Sequence, residues 1–231
     1  MNILLTNDDG YSSLGINLLK KLLSKYGKVI IAAPKNVMSA KSVSLNLTSP
    51  IEVIKSSEDL YIIDSTPADC VAYALSSIDT KFDLVVSGIN HGHNISYDTM
   101  YSGTIGACLQ ALTYRIPAIA VSTEDNFEVV EAYFDKVMEY IKKENLLSDK
   151  YLLNINFPYG KVVKEIRLTH LHYRKETTYY REVSPNQYQA LRNLKDELVD
   201  DESSDVYAVN HQIISITKLD RSLNYVSRSE N

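Results

Sequence analysis

Asn2-Ile3-Leu4-Leu5-Thr6-Asn7-Asp8-Asp9-Gly10 is an apolar run that passes directly into an amide, two carboxylates and a glycine. Ile3-Leu4-Leu5 reads as a strand buried on both faces, because a half-exposed strand would alternate with polar residues. Leu19, Leu22, Leu23 and Tyr26 then recur at i, i+3, i+4 and i+7. That spacing predicts an amphipathic helix, with Gly27 suited to its C-terminal cap. Val29-Ile30-Ile31-Ala32-Ala33 is a second buried strand, stopped by Pro34. A strand, a helix and another all-apolar strand point to a parallel sheet covered on both faces.

The alternation continues outward from this unit. Ile51 to Ile54 and Leu60 to Ile63 read as a short antiparallel pair. A helix is expected from Pro67 to about Ile78, with Thr66 as cap and Pro67 at its first position. Leu84-Val85-Val86 is a further strand, followed by a loop and a helix beginning near Gly103. Ala118 to Val121 and Leu152 to Asn156 are strands flanking a helix whose face is Phe127, Val130, Phe134, Val137, Met138 and Ile141. The expected fold class is α/β, with a doubly wound, mostly parallel sheet. After Pro158 the pattern changes. Val163 to Thr169 and Val206 to Thr217 alternate like strands around a polar, tyrosine-rich stretch at 173–204. The chain therefore divides into a catalytic core at 1–158 and a β-rich extension at 159–231. The extension has few apolar positions for a core of its own, so a hairpin arm packed on a neighbouring subunit is expected.

The chain has 231 residues and a formal charge of −5, which disfavours a surface built to coat a nucleic-acid polymer. Its two cysteines, Cys70 and Cys108, have apolar neighbours and read as buried thiols in a reducing compartment. The opening lacks a basic n-region, and no run reaches the roughly 18 apolar residues of a membrane span. A cytoplasmic protein with no membrane partner is expected.

In open parallel sheets, ligands bind beyond the carboxyl ends of the strands. Asp8 and Asp9 follow the first strand, and adjacent carboxylates repel unless a cation or hydrogen bonds compensate. Hard cations such as Mg²⁺ take such oxygens; an ordinary Asp-Gly turn is the plainer alternative. A loop with Ser39, Ser42 and Ser44 follows the second strand and reads as solvated unless a cation is close. Ser87-Gly88-Ile89-Asn90-His91-Gly92-His93-Asn94 follows the third long strand. Asn90 can lend an oxygen to a metal and Asn94 can donate to a phosphate. His91 and His93 lack acidic or cysteine partners at zinc spacing and read as exposed loop residues. Ser102-Gly103-Thr104 at a helix start can bind an anion through outward N–H groups, or serve as a simple cap. On one sheet edge, these features together are what metal-assisted phosphate-ester hydrolysis requires.

Asn7-Asp8-Asp9-Gly10, Ser39, Thr66-Pro67-Ala68-Asp69-Cys70-Val71, Ser87-Gly88-Ile89-Asn90 and Tyr101-Ser102-Gly103-Thr104, in this order, resemble the SurE (survival protein E) nucleotidases. Leu153-Asn154-Ile155-Asn156 and Ser215-Ile216-Thr217 also fit. The resemblance implies a Rossmann-like three-layer α/β/α core and a C-terminal arm exchanged in homodimers or homotetramers. It implies hydrolysis of nucleoside 5′- or 3′-monophosphates, with some members also shortening polyphosphate. It implies one Mg²⁺ or Mn²⁺ per subunit held by Asp8, Asp9, Ser39 and Asn90, with Asp8 or Asp9 acting on the attacking water. Asn94, Ser102, Gly103 and Thr104 would hold the phosphate. The chain departs from the family pattern at Ala40, Ser65 and Ser96, where glycine is usual, and at Lys218, where proline is usual.

Two other readings stay open at this level. An aspartyl-phosphate enzyme with Asp8 as nucleophile usually carries a second aspartate two residues on, and here that residue is Gly10. A non-catalytic nucleotide-binding module is possible too, though the Gly-x-Gly-x-x-Gly fingerprint is missing after the first strand.

Overall fold

The computed structural model describes residues 1–124, 127–172, 176–194 and 199–221. The chain runs β1 (Asn2–Thr6), α1 (Leu14–Leu23), β2 (Lys28–Pro34), β3 (Val53–Ser57), β4 (Leu60–Ile63), α2 (Pro67–Ser77) and β5 (Leu84–His91). It continues through α3 (Asp98–Tyr101), α4 (Gly103–Thr113), β6 (Ala118–Thr123), α5 (Phe127–Lys143) and β7 (Tyr151–Phe157). The remaining elements are β8 (Glu165–Thr169), β9 (Glu176–Ser184), β10 (Gln187–Leu194), α6 (Asp205–Asn210) and β11 (Ile213–Asp220).

Nine strands form one sheet in the order β3-β4-β2-β1-β5-β6-β7-β11-β8. The six from β4 to β7 in that order pair in parallel. From β1 the chain winds outward through β2, then returns to the other side of β1 at β5. The topological switch point therefore lies between β1 and β5, where such sheets open a crevice for ligands. Helices α1 and α5 cover one face, burying Ile16, Leu19, Phe134 and Val137 against Leu5, Val86 and Ile155. Helices α2 and α4 cover the other, burying Val71, Ala107 and Cys108 against Leu4 and Val85. Both cysteines are buried and free. The α/β class, the mostly parallel sheet and the helices on both faces match the sequence reading. Among the described residues, no helix is long and apolar enough to cross a membrane.

Beyond β7 the sheet continues. β11 pairs with β7 antiparallel, and β8 pairs with β11 in parallel. Among the described residues, β9 and β10 stand apart as a separate antiparallel hairpin. Part of the tyrosine-rich stretch lies outside the described residues.

Three local readings need correction. Helix α1 ends at Leu23 with Ser24 as its cap, so Gly27 caps nothing. A Cβ on Gly27 would overlap the Met1 carbonyl, so glycine serves there to let the turn into β2 pass the start of β1. Val206 to Thr217 is not one strand. Asp205–Asn210 is a short helix capped by Ser204, whose Oγ accepts from the Tyr207 N–H, and the strand starts at Ile213. Finally, β5 does not stop at Val86. It runs through Asn90 to His91, so most of the expected loop is strand.

Candidate active site

The turn after β1 is closed by Asn7, whose side-chain amide donates to the Gly10 carbonyl at 3.0 Å and to Ser13 Oγ at 2.8 Å. Asp8 and Asp9 then project in different directions. Asp8 Oδ1 accepts the Thr104 hydroxyl at 2.7 Å, which ties it to the first turn of α4. Asp9 Oδ2 accepts the His91 backbone N–H at 3.3 Å, which ties it to the end of β5. The two carboxylates thus span the gap at the switch point.

Gly103 starts α4 directly against Asp8. A Cβ there would lie 2.9 Å from the Asp8 Cβ and 3.0 Å from its Oδ2. With Oδ1 committed to Thr104, a bare backbone at Gly103 keeps space beside Oδ2. Ser39 lies on the exposed loop after β2. Its neighbour Met38 donates its N–H to the Asp8 carbonyl at 2.7 Å, so Ser39 is one residue from the aspartate turn. Asn90 reaches the same edge because β5 carries a bulge. Its register with β6 slips between Ser87 and Asn90, and bulges commonly re-aim side chains beside sites. The Asn90 side-chain nitrogen donates to the Gly92 carbonyl at 2.7 Å, which leaves the amide oxygen as the end suited to a cation.

Ser102 caps α4, its Oγ accepting the Ile105 N–H at 3.2 Å. Its own O–H is then left for another acceptor, alongside the outward N–H groups of the helix start. Thr104 differs from expectation: its hydroxyl hydrogen goes to Asp8, and its backbone N–H also faces that carboxylate. Asn94 is buried, and one of its side-chain hydrogens goes to Ser122 Oγ at 2.9 Å. The other is uncommitted among the described residues.

Burial pushes the Asp8 carboxyl above its ordinary value; the Thr104 hydrogen bond opposes this, and repulsion from Asp9 adds to it. Burial likewise raises Asp9, with the His91 N–H and ring opposing. Among the described residues, no Lys or Arg pairs with either carboxylate. A divalent cation fits such a place: it supplies the missing positive charge and takes hard oxygen ligands. Among the described residues, no three His, Cys, Asp or Glu side chains converge as a metal cluster. The Asp8, Asp9, Ser39 and Asn90 set has two carboxylates, a hydroxyl and an amide, which suits Mg²⁺ or Mn²⁺ better than zinc.

The histidines divide. His91 is exposed, as expected, and its ring packs edge-on against Phe127. His93 is buried, contrary to expectation. Its Nε2 lies 2.6 Å from the Phe157 carbonyl, and its backbone N–H donates to Glu124 at 3.0 Å. A mostly apolar cavity of about 840 Å³ lies nearby, between α4 and strands β8 and β11. It is lined by Met100, Ile105, Leu109, Leu168 and Ile216, and none of the proposed site residues lines it.

A family model described as survival protein SurE matches residues 3–178, about three quarters of the chain. The chain belongs to the SurE family. A relative named 5′-nucleotidase SurE from Clostridium botulinum is 36% identical, over 95% of this chain and 92% of its own length. Another of that name from Marinomonas sp. is 42% identical over 75% of this chain and 72% of its own. The crystal structure of the SurE protein from Aquifex aeolicus superimposes with a TM-score of 0.84 at 31% identity, covering 97% of this chain and 95% of that one.

Two of this SurE chain's departures now have a physical meaning. Ala40 has φ 56° and Ser96 has φ 53°, the left-handed region that glycine enters freely. Each costs about 1 kcal/mol in a residue with a side chain. At Ser65 the extra hydroxyl is used, bonding Asp69. The sequence reading missed Ser122, Asn154, Asn156 and Asp205 as parts of the site's surroundings, all of them fully buried. A usable signal existed for the asparagines: Asn154 and Asn156 interrupt an otherwise apolar strand at every second position.

Proposed function

We propose that this chain is a divalent-metal-dependent 5′-nucleotidase, hydrolysing nucleoside 5′-monophosphates to nucleoside and phosphate. Nucleoside 3′-monophosphates and short polyphosphate are the further substrates to test. The observation that carries the reading is the pair of a buried Asp8 and a half-buried Asp9, without a cationic partner among the described residues, beside the glycine start of α4. The names borne by relatives at 36% and 42% identity support it.

Asp8, Asp9, Ser39 and Asn90 hold one Mg²⁺ or Mn²⁺ per subunit. When bound, the cation polarises the phosphate and makes a nearby water more acidic. Ser102 through its O–H, the α4 N–H group at Gly103, and the free Asn94 hydrogen bind the phosphoryl oxygens. These donors face charge that builds on the phosphoryl group as the bond to the ester oxygen breaks. One of the two aspartates takes a proton from the attacking water as its oxygen bonds to phosphorus, the bond to the ester oxygen breaks, and that proton passes to the ester oxygen, which leaves as the nucleoside hydroxyl. Thr104 holds Asp8 in place by its hydroxyl rather than touching substrate with it.

The protein works in the cytoplasm as a homodimer or homotetramer. The catalytic core spans 1–158, and the extension at 159–231 supplies an arm exchanged between subunits. The separate β9–β10 hairpin and the apolar cavity beside β8 and β11 support this arrangement. A phosphate-release screen over nucleoside 5′- and 3′-monophosphates and polyphosphate, with Mg²⁺, Mn²⁺ and chelator, tests the activity. Release from 5′-monophosphates that chelator abolishes is expected. Full turnover in chelator, or tight binding without release in Mn²⁺, would overturn it.

A further inference from the structure

Strand β7 lies inside the sheet between β6 and β11, and its residues alternate between two surroundings. Leu153, Ile155 and Phe157 enter the core beneath α1 and α5. On the other face, Leu152 joins the second core, but Asn154 and Asn156 replace the apolar residues that should follow it. Both are fully buried, and a buried amide is costly unless its hydrogen bonds are made.

Their bonds converge on one residue. The Asn154 side-chain amide donates to the Asn94 carbonyl at 2.7 Å, and that of Asn156 donates to the same carbonyl at 3.1 Å. The Asn94 N–H in turn donates to Asn156 Oδ1 at 2.8 Å. Ser122, beside Asn156 in the sheet, accepts from the Asn94 side chain. Asn94 lies in neither helix nor strand, so its backbone groups have no ladder to satisfy them. Two side chains from β7 act as that ladder, filling both lone pairs of the carbonyl, while Ser122 of β6 holds the Asn94 side chain. Groups held by locked second contacts keep their aim to a fraction of an ångström, which loops alone do not provide.

We propose that Asn154 and Asn156, assisted by Ser122, are positioning residues that aim the Asn94 amide at the phosphate. The inference rests on the reading of Asn94 as a phosphate donor. It makes β7 a part of the phosphate site although neither asparagine touches the substrate.

The test is inhibition by inorganic phosphate and turnover of a nucleoside monophosphate, both measured with Mn²⁺ on the full chain. Asn94→Ser should raise the phosphate inhibition constant and KM about tenfold, as loss of a hydrogen bond to a charged group does. Asn156→Ser should do the same with a smaller change in kcat and an unchanged Mn²⁺ titration midpoint. The Asn94→Ser/Asn156→Ser double variant should be no worse than Asn94→Ser alone, because both act through one amide. If Asn156→Ser fails to fold, Ser122→Ala carries the same test by removing one atom. If Asn94→Ser weakens phosphate but the supporting variant only lowers Tm, the positioning role is wrong. Additive losses in the double variant would also overturn it. If Asn94→Ser itself leaves phosphate inhibition unchanged, the Asn94 assignment fails first, and the two failures are thereby told apart.

Discussion

The two faces of β7 use the same strand for opposite ends. One presents Leu153, Ile155 and Phe157 to a dry core; the other presents Asn154 and Asn156 to a loop beside the site. The carboxylates divide in the same way. Asp8 and Asp9, at the site, are pushed up by burial, while Asp59, on the rim, is held below its ordinary value by Lys20 and Ser57. Where this molecule serves stability, polar groups are paired and apolar ones are hidden. Where it serves chemistry, it buries charge and amides at a cost to the fold, which is where consistent sequences are expected to break their own rules.

The division is sharpest if adjacent residues on one strand fail differently. Ile155→Ala empties part of the dry core and should cost about 2–5 kcal/mol of stability. KM and metal dependence of the folded fraction should stay as they were. A shifted phosphate inhibition constant in Ile155→Ala would blur the two faces into one. Asp8→Asn should show the converse. Asn keeps an oxygen for Thr104 but sheds the buried charge, so the metal-free Tm near neutral pH should hold or rise. Turnover should fall more than about 100-fold, the scale of losing a group that stabilises the transition state. The Tm gain on adding Mn²⁺ should vanish with it. Unchanged turnover in Asp8→Asn would remove the basis of the metal assignment.

Gly103 is a smaller probe of the same boundary. An added methyl must move Asp8, since it would sit 2.9 Å from the Asp8 Cβ. Gly103→Ala should weaken Mn²⁺ about tenfold, the effect of disturbing a ligand's support. Titration of Tm against Mn²⁺ measures it. An unaltered midpoint would mean that Oδ2 of Asp8 does not face the cation.

Much of this was legible in the residues, and the failures have physical causes. The parallel strands announced themselves because both of their faces are buried, so Ile3 to Leu5 and Val29 to Ala33 are continuous apolar runs. The candidate site motifs stood out because Asp8 and Asp9 follow a strand and Ser102 caps a helix, while Asn90 lies in the bulged end of β5. What holds Asn94 was not legible, because Asn154 is 60 residues away and only the sheet brings the two together. Val206 to Thr217 misled because α6 has six residues, too few to display a helical period. The bulge in β5 hid the strand's length, since Gly88 and Asn90 are turn residues by type. Ala40 and Ser96 looked like relaxations of a glycine rule, yet their backbones keep the glycine conformation.

The smallest effect should come from the rim. Asp59 lies in the β3–β4 turn and binds Lys20 of α1 at 2.6 Å, with Ser57 donating to its other oxygen at 2.7 Å. Both charged side chains are over a third exposed, so solvent screens the pair and Asp59→Asn should cost less than about 1 kcal/mol. Its folded-state carboxyl lies below the ordinary 3.8, with the Lys20 hydrogen bond as the largest cause. Below that lowered value both states bind the proton, so the stability due to the charge is absent. Between the lowered value and 3.8 the unfolded chain holds more protons, and stability grows as pH rises. Above 3.8 the contribution is complete. Tm of wild type and Asp59→Asn should therefore differ slightly at pH 7 and converge as the pH falls below 3.8. KM for a nucleoside monophosphate should not move at any pH where both fold. A change in KM would tie the rim to the site, and the separation between a stabilising periphery and a strained centre would have to be redrawn.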